Sequence, residues 1–453
     1  MIFLARVACT GLAGTWLLLA ANAHAQEVPP PPSSAKPAQA APKKPDEEDP
    51  SRRRTEWAAL PVLGGGSDIG VLFGVTTVIS GLGDGVKPYL WQIDAIASTS
   101  VKGGPRKTEL VQQGWGGRID VPRIFGSVYR YQFGAFYTRT VNELYFGLGN
   151  ASVADPSNVT TSDLGRNQYV NEEVRIRNML RFPLVKRRGE PSPPPGRAND
   201  TWTGQVGLQF RALHAQPYPN SALERDFAAK TPEGEPYAHG AGLQGLIIPS
   251  FGVLYDTRDR EILTTDGSFH ELSLRIASVY PDTAATHGAA HLALRHYLTL
   301  PGKIILAMRF VADAAAGHLP LFDLSQYGSF TPSPAIGGED GVRGVPAALY
   351  YGRLKTMGNV ELRRMLFGIK PFGGSLKFGL NAFFDAGRVW MNYTFDDPRD
   401  GRTLGLKFGT GGGILVLWGE AALFRAEIAY SPEASIANPG FPAAIYLADD
   451  VIF

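Results

Sequence analysis

Apolar and polar residues alternate along most of the chain after residue 57. In residues 376–385, LKFGLNAFFD, Leu380 and Phe384 share an apolar face, and Asn381 and Asp385 lie on the opposite face. The same alternation occurs in residues 128–139, VYRYQFGAFYTR, and in residues 303–313, KIILAMRFVAD. Runs of about ten residues with this period of two, separated by turn residues, are typical of transmembrane β-barrel strands.

The alternation and the turn residues predict sixteen strands. They are expected near 57–63, 68–80, 87–100, 107–121, 127–142, 167–182, 200–214, 243–255, 267–279, 289–300, 303–315, 349–367, 374–386, 403–417, 421–431 and 443–453. The fold class is therefore all-β, and the expected architecture is a membrane-spanning, 16-stranded antiparallel β-barrel.

The predicted connections are long at alternate junctions. The long connections are 143–166, 215–242, 316–348, 387–402 and 432–442, and the one long connection on the opposite side is 183–199. In outer-membrane barrels the long loops are extracellular and the opposite turns are short. Both ends of the barrel domain are therefore expected on the periplasmic side, and sixteen strands leave room inside for water or for a folded-in loop.

A large soluble β-sandwich or propeller would also have strands with one apolar face. Against these alternatives, the predicted apolar faces are rich in aromatic residues, the opposite faces carry several charges, and no propeller-type repeat is visible. Beyond residue 57 no run of about 18 uncharged apolar residues predicts a membrane-spanning helix.

The first 25 residues resemble a secretory signal peptide. Arg6 precedes an apolar core, and Ala23-His24-Ala25 forms a small-x-small cleavage site. A membrane anchor is the alternative, but the apolar core is short. Export points to a bacterial cell envelope, and the location expected for a barrel there is the outer membrane.

Residues 26–56 are rich in Pro, Ala and charge and are expected to form a disordered periplasmic linker, with the barrel domain at 57–453. Arg52, Arg53 and Arg54 are the one part of this linker with an alternative role, at anionic lipid or at a partner. The formal net charge of +2 gives no support to nucleic-acid binding.

Several sequence patterns suggest a catalytic or metal-binding site, but each lacks a feature that such a site requires. The glycine-rich segments 64–70 and 409–413 precede strand patterns, whereas a phosphate loop needs a following helix. His291 and His296 would project to opposite faces of a strand and could not share a metal ion. The one cysteine, Cys9, lies in the predicted signal peptide, so the mature chain would have no thiol nucleophile. No catalytic residue, metal or cofactor is predicted, and the chain is not expected to be an enzyme.

Four segments together resemble the BamA/TamA-like bacterial surface antigen family of outer-membrane assembly and translocation barrels. Residues 336–352, IGGEDGVRGVPAALYYG, contain Val342-Arg343-Gly344, which is similar to the motif of that family's sixth extracellular loop. The other three segments are FFDAGRVW at 383–390, LYFGLGNAS at 144–152, and YDTRDREILTTDGSFHELSL from Tyr255.

The resemblance implies that this loop folds into the barrel lumen and that its arginine pairs with acidic residues on the wall. The expected motif residues are Gly337, Gly338, Val342, Arg343 and Gly344, and the expected partners of Arg343 are Asp385 and Glu361. The cluster Asp256, Arg258 and Asp259 is expected to order a periplasmic turn, and Phe453 to end a C-terminal assembly signal.

The function implied by the family is assistance in inserting or translocating envelope protein or lipid, through a weak seam between the first and last strands. Pro61, which lacks an amide donor, would suit a frayed first strand. The expected partners are outer-membrane lipid, unfolded outer-membrane or secreted proteins, and a periplasmic or lipoprotein partner. The linker is too short for the family's periplasmic transport-associated (POTRA) domains, so a passive channel or structural barrel is the alternative.

Overall fold

The structure is a computed structural model that describes residues 52–66, 70–103, 108–154, 164–185, 199–370, 375–437, 440–448 and 453. The predicted signal peptide, 1–25, and most of the predicted linker, 26–56, lie outside the described residues. The first strand begins at Arg54, three residues before the expected start of the barrel domain.

The main element is one antiparallel sheet of sixteen strands in which every strand pairs with its neighbours in chain order. The strands are β1 (Arg54–Gly66), β2 (Gly70–Gly83), β3 (Val86–Gly103), β4 (Thr108–Val121), β5 (Arg130–Leu144), β6 (Gln168–Pro183), β7 (Trp202–Pro217), β8 (Gly242–Asp256), β9 (Gly267–Tyr280), β10 (His287–Leu300), β11 (Ile304–Gly317), β12 (Leu354–Ile369), β13 (Leu376–Trp390), β14 (Lys407–Trp418), β15 (Ala422–Tyr430) and β16 (Ala443–Ala448). The predicted all-β class and the strand count are confirmed.

Three short helices lie in the connections: α1 (Ala222–Ala228), α2 (Leu321–Leu324) and α3 (Ala434–Ala437). The first of them begins after Ser221, whose hydroxyl accepts a hydrogen bond from the amide of Glu224. Within the described part of the chain, no helix is long and apolar enough to cross a membrane.

The connections alternate in length as predicted. Two-residue and three-residue turns follow β2, β10 and β14, whereas residues 145–167, 218–241, 318–353 and 391–406 follow β5, β7, β11 and β13. The long connection at the opposite end, between β6 and β7, is also present. All long loops but this one therefore lie at the same end of the sheet.

The two largest differences between predicted and observed strand boundaries are of five residues each. β12 begins at Leu354 rather than near 349, because residues 349–353 belong to the preceding loop, where Gly352 donates its amide to the carbonyl of Leu324. β16 spans Ala443–Ala448, although 443–453 was predicted. Residues 449–452 lie outside the described residues.

The two faces of the sheet are inverted relative to a soluble protein. In β13, Leu380 and Phe384 are 50% and 53% exposed, whereas Asn381 and Asp385 are 6% and 0% exposed. The same inversion holds in β11, where Phe310 is exposed and its neighbour Arg309 is buried. An apolar face turned outward and a polar face turned inward suit a sheet surrounded by lipid.

The buried polar face is covered by two segments that enter from opposite ends of the sheet. Residues 318–353, here called the Arg343 loop, lie against it from the end with the long loops. Residues 257–266, here called the Asp259 turn, lie against it from the other end. Ile262 in this turn packs against Leu82 and Tyr89 near β2 and β3 and against Leu415, Leu417 and Leu423 on β14 and β15. Strands far apart in the sheet therefore converge on one side chain, so the sheet is strongly curved.

The two edges of the sheet approach each other. Ala58 of β1 belongs to the same buried apolar cluster as Phe424 of β15, and Arg54 forms a 2.9 Å ion pair with Glu420 in the turn after β14. No ladder joins β1 to β16 among the residues that the structure describes.

The inverted faces generate a first prediction. Leu380→Arg places a cation on the outward apolar face near the middle of β13, and we expect it to lower the free energy of unfolding in lipid vesicles by about 2–4 kcal/mol. Urea titration monitored by tryptophan fluorescence measures this change. The matched control is Leu404→Arg in the loop after β13, where the side chain is 68% exposed and a change within about 0.5 kcal/mol is expected. Equal effects of the two changes would contradict a lipid-facing β13.

Candidate functional site

The tip of the Arg343 loop is a compact turn made possible by glycine. Gly338 and Gly344 have φ angles of 90° and 95°, which side chains with a Cβ rarely adopt. The amide of Val342 bonds to the carbonyl of Ile336, and the amide of Gly338 to the carbonyl of Val345, at 2.6 and 2.9 Å. This turn holds Arg343 at its tip, pointing at the sheet.

Arg343 lies against two carboxylates expected from the sequence, Asp385 and Glu361. Its Nε and Nη2 donate to the two carboxylate oxygens of Asp385 at 2.8 and 3.0 Å, and its backbone amide donates to the same group at 3.1 Å. Its Nη1 donates to Glu361 at 2.9 Å. The guanidinium is fully buried, so these charge-assisted bonds are shielded from water.

A third carboxylate, Glu427 on β15, was not expected from the sequence. Nη1 of Arg343 lies 3.0 Å from it, while Arg363 pairs with Glu361 at 2.8 Å and Arg425 pairs with Glu427 at 2.5 Å. Three guanidinium groups thus face three buried carboxylates, so these six groups balance in charge, and the partly exposed Asp340 lies 4.0 Å from Arg425 at the edge of the cluster. Alternation in β15, where Arg425 and Glu427 share a face, was the signal that could have identified Glu427.

Close approach of the loop to the wall depends on residues that the sequence did not single out. The ring of Phe383 lies under the guanidinium, with 3.4 Å between Cζ of Arg343 and the ring centroid. At Gly409 in β14, a Cβ atom would collide with the carbonyl oxygen of Arg343. The hydroxyl of Tyr446 on β16 accepts the amide of Gly344 at 2.9 Å. The glycine-rich segment 409–413, expected only to bend a strand, therefore makes room for the loop.

The rest of the Arg343 loop is bound to other strands. Asp323 in α2 forms a 3.1 Å ion pair with Arg275 of β9, which also pairs with Asp313 of β11 at 2.8 Å. Farther along the loop, the carbonyl of Ser329 accepts bonds from Gln209 of β7 and Ser250 of β8. One loop thus contacts the polar face from β7 to β16.

The predicted turn cluster lies at the opposite end. Arg258 binds Asp256 through two bonds of 2.9 and 2.7 Å. Partial burial acts to raise the pKa of Asp259, but hydrogen bonds from Thr265 and from the amides of Thr265 and Asp266 hold that pKa below its usual range. Glu261, which the sequence did not single out, pairs with Arg130 of β5 at 2.8 Å. These contacts fix the Asp259 turn against the polar face.

Phe453 does not lie on the outward face. Its ring lies 5.3 Å from Cζ of Arg309 and 5.1 Å from Cζ of Arg363, and its carbonyl accepts a 3.2 Å bond from Arg363. Both arginines are on the buried face. Phe453 is thus held beside Arg309 and Arg363.

His291 and His296 of β10 face opposite sides, as expected: His291 is buried 3.3 Å from Asp313, and His296 is exposed and bonded to Ser268. In the part of the chain that the structure describes, no group of three or more His, Cys, Asp or Glu residues could hold a metal ion.

Comparisons with known proteins agree with this architecture. The model of the Omp85 superfamily domain matches residues 119–438. Among solved structures, BamA from Haemophilus ducreyi lacking POTRA domains 1–3 is similar at 13% identity and a TM-score of 0.49, over 88% of this chain and 70% of that one. CdiB from Escherichia coli is similar at 13% identity and a TM-score of 0.51, over 87% of this chain and 61% of that one. No curated protein sequence matches the chain. The chain belongs to the Omp85 superfamily of bacterial outer-membrane barrel proteins.

Proposed function

We propose that the sheet closes into a barrel in the outer membrane, that the Arg343 loop occupies its lumen, and that the seam between β1 and β16 opens to assist insertion or translocation of envelope protein or lipid. Closure is supported by two contacts of β1. Ala58 shares an apolar cluster with Phe424 of β15, and Arg54 pairs with Glu420 in the turn before β15. The buried polar face, covered from both ends, is then the lumen wall.

The observation that carries the functional proposal is the unequal pairing at the two edges. β1 has thirteen residues and pairs with β2 along its whole length, whereas the described part of β16 has six, and no ladder joins β1 to β16 among the described residues. A closed barrel exposes no edge, and it opens sideways only where the ladder is weak. Pro61 lies in β1 and cannot donate a ladder bond, which keeps that edge weak.

The buried ion pairs around Arg343 hold one side of this seam in place. This group, here called the Arg343 cluster, consists of Arg343, Arg363, Arg425, Asp385, Glu361 and Glu427. Its carboxylates lie on β12, β13 and β15, and Gly344 reaches Tyr446 on β16. Among the described residues, no hydrogen bond or ion pair of Arg343 or Gly344 involves β1. The loop would therefore brace the last strands while β1 moves with β2. We propose that the chain acts without catalysis, on unfolded barrel or secreted proteins or on lipid, with a periplasmic or lipoprotein partner.

A passive channel or structural barrel is the second candidate. It is favoured by the continuous network that ties the loop to the wall from β7 to β16, because such a network resists movement. It is disfavoured by the same loop and the Asp259 turn, because together they occupy the interior that a wide pore requires.

The buried cluster generates the second prediction. Arg343→Ala leaves three buried carboxylates facing two guanidinium groups, so we expect a loss of about 3–5 kcal/mol in the free energy of unfolding. The Arg343 loop should also become sensitive to added protease. Urea titration in vesicles and limited proteolysis measure the two effects.

The control is Arg260→Ala, which removes an ion pair with Asp259 whose arginine side chain is 56% exposed. A change within about 1 kcal/mol is expected there. Wild-type stability and wild-type protease resistance of Arg343→Ala would show that Arg343 does not lock the loop.

The seam generates the third prediction. In a Cys9→Ser background, cysteines replacing Arg54 and Glu420 are joined by a short cleavable bis-maleimide reagent, since the native side chains lie 2.9 Å apart. Proteoliposomes with the untreated protein should accelerate folding of a urea-denatured outer-membrane barrel. After cross-linking the rate should fall to that of empty liposomes, and cleavage of the linker should restore it.

The matched control joins cysteines replacing Arg53, just before β1, and Asp84, just after β2, which pair at 2.7 Å beside two strands already joined by a ladder. That cross-link should leave the rate unchanged. If the uncross-linked protein accelerates nothing but conducts ions in planar bilayers, the passive channel is the correct function.

A further inference from the structure

A cavity of about 300 Å³ lies on the polar face between the two covering segments. The Arg343 loop contributes Tyr327, Phe330 and Thr331 to its lining, and the Asp259 turn contributes Arg258 and Glu261. The remaining lining residues come mainly from β3 to β11. We call this space the arginine chamber. It is separate from the Arg343 cluster, since neither Arg343 nor its carboxylate partners line it.

The lining of the arginine chamber has an excess of positive charge. Seven arginines line it, against the side-chain carboxylates of Asp94, Asp120, Glu261 and Glu271. Asp94 is paired with Arg118, and both Asp120 and Glu261 are paired with Arg130. Three of the four lining carboxylates are therefore already paired with Arg118 or Arg130.

Three of the lining arginines, Arg177, Arg181 and Arg295, form no ion pair with a carboxylate of the described chain. Arg177 is 2% exposed, and its Nε and Nη2 have no hydrogen-bond partner. Arg181 donates Nε to the amide oxygen of Gln205, and Nη1 of Arg295 has no partner. Arg177 and Arg295 therefore carry buried donors that the described residues do not satisfy, and all three arginines carry charge that no described carboxylate pairs.

Two of these arginines converge on one aromatic ring. Cζ of Arg295 and Cζ of Arg181 lie 5.1 and 5.9 Å from the centroid of Phe269, and Arg258, which is paired with Asp256, lies 4.2 Å from it. Stacking on a ring fixes the plane of a guanidinium and leaves its edge donors free. Like charges held this close repel one another unless an anion lies between them.

We propose that the arginine chamber binds a phosphate-class oxyanion, held by Arg181 and Arg295 at the ring of Phe269 and balanced by the charge of Arg177. Guanidinium donors match tetrahedral oxyanions through paired N–H bonds. The volume of about 300 Å³ admits inorganic phosphate or the phosphate of a lipid headgroup, and the acyl chains of a lipid would have to remain outside. This inference needs only the chamber and does not depend on the seam opening.

The test uses the full chain purified in phosphate-free buffer and phospholipid-free maltoside detergent. Titration calorimetry with inorganic phosphate should show binding at one site, and Arg181→Gln and Arg295→Gln should each weaken it at least about tenfold, the loss expected for a hydrogen bond to a charged group. The control Arg364→Gln removes a positive charge from the exposed face of β12 and should leave binding unchanged.

Thermal stability provides a second, independent readout. The sign of the change in melting temperature on Arg295→Gln separates a role in ligand binding from a role in supporting the fold. Without phosphate, Arg295→Gln should melt at the wild-type temperature or higher on a heat-modifiability gel, because an unsatisfied buried charge is removed. Millimolar phosphate should raise the melting temperature of the wild type but not that of the variant. If Arg295→Gln melts lower than the wild type in both buffers, the arginine supports the fold and the proposal is overturned.

A lipid source is distinguished by phosphorus analysis of protein purified from membranes before detergent exchange. If the ligand is a headgroup, phospholipid should copurify at one molecule per chain and be lost in the Arg181→Gln, Arg295→Gln double variant. If it is a free anion, phosphate should bind and no lipid should copurify. Absence of both phosphate binding and variant-sensitive lipid would show that water alone fills the chamber.

Discussion

The packing of the Arg343 loop against the sheet depends on the charge balance between three guanidinium groups and three buried carboxylates around Arg343. A loop tip buried against a sheet loses the hydration of its charge, and only near-complete pairing offsets that loss. Asp385 provides this pairing in two ways, since it accepts both the guanidinium and the amide of Arg343. The path of residues 318–353 across the polar face is fixed by this contact more than by any other. Loss of the balance would affect strands β12, β13 and β15 together.

Much of the fold follows from the period of two. Because side chains on successive strand residues point to opposite faces, LKFGLNAFFD predicts both that Phe384 lies outward and that Asp385 lies inward. The strand count and the alternating loop lengths follow from the same pattern with the turn residues. The ends of strands were harder to predict: residues 349–353 have the composition of a strand, but Gly352 bonds to α2 in the loop, whereas Arg353 bonds to Ala315 and Gly317 at the end of β11.

The candidate site was partly predictable, and what was missed has a common physical reason. Asp385 and Glu361 could be proposed because a resemblance supplied the loop's path. Glu427 and Gly409 could not, since contact between a loop and strands more than 60 residues away depends on how the sheet curves, and the place of Phe383 under the guanidinium depends on where the loop tip meets β13. Gly409 is instructive, because a glycine in a strand reads locally as a bend. In the folded protein, Gly409 leaves room for the carbonyl of Arg343, and this role is visible only once the Arg343 loop is seen against β14.

Two segments that enter from opposite ends divide the polar face into regions with different electrostatics. Around Arg343 the buried ion pairs balance in charge, so that region serves to hold the loop, although Nη1 of Arg363 has no partner among the described residues. Around Phe269 the charges do not balance, because Arg130 and Arg118 already take up Asp94, Asp120 and Glu261. A barrel kept only for its shape would gain stability by replacing Arg295 with a neutral residue. The retention of unsatisfied guanidinium groups beside a satisfied network is therefore better explained by a ligand than by the fold.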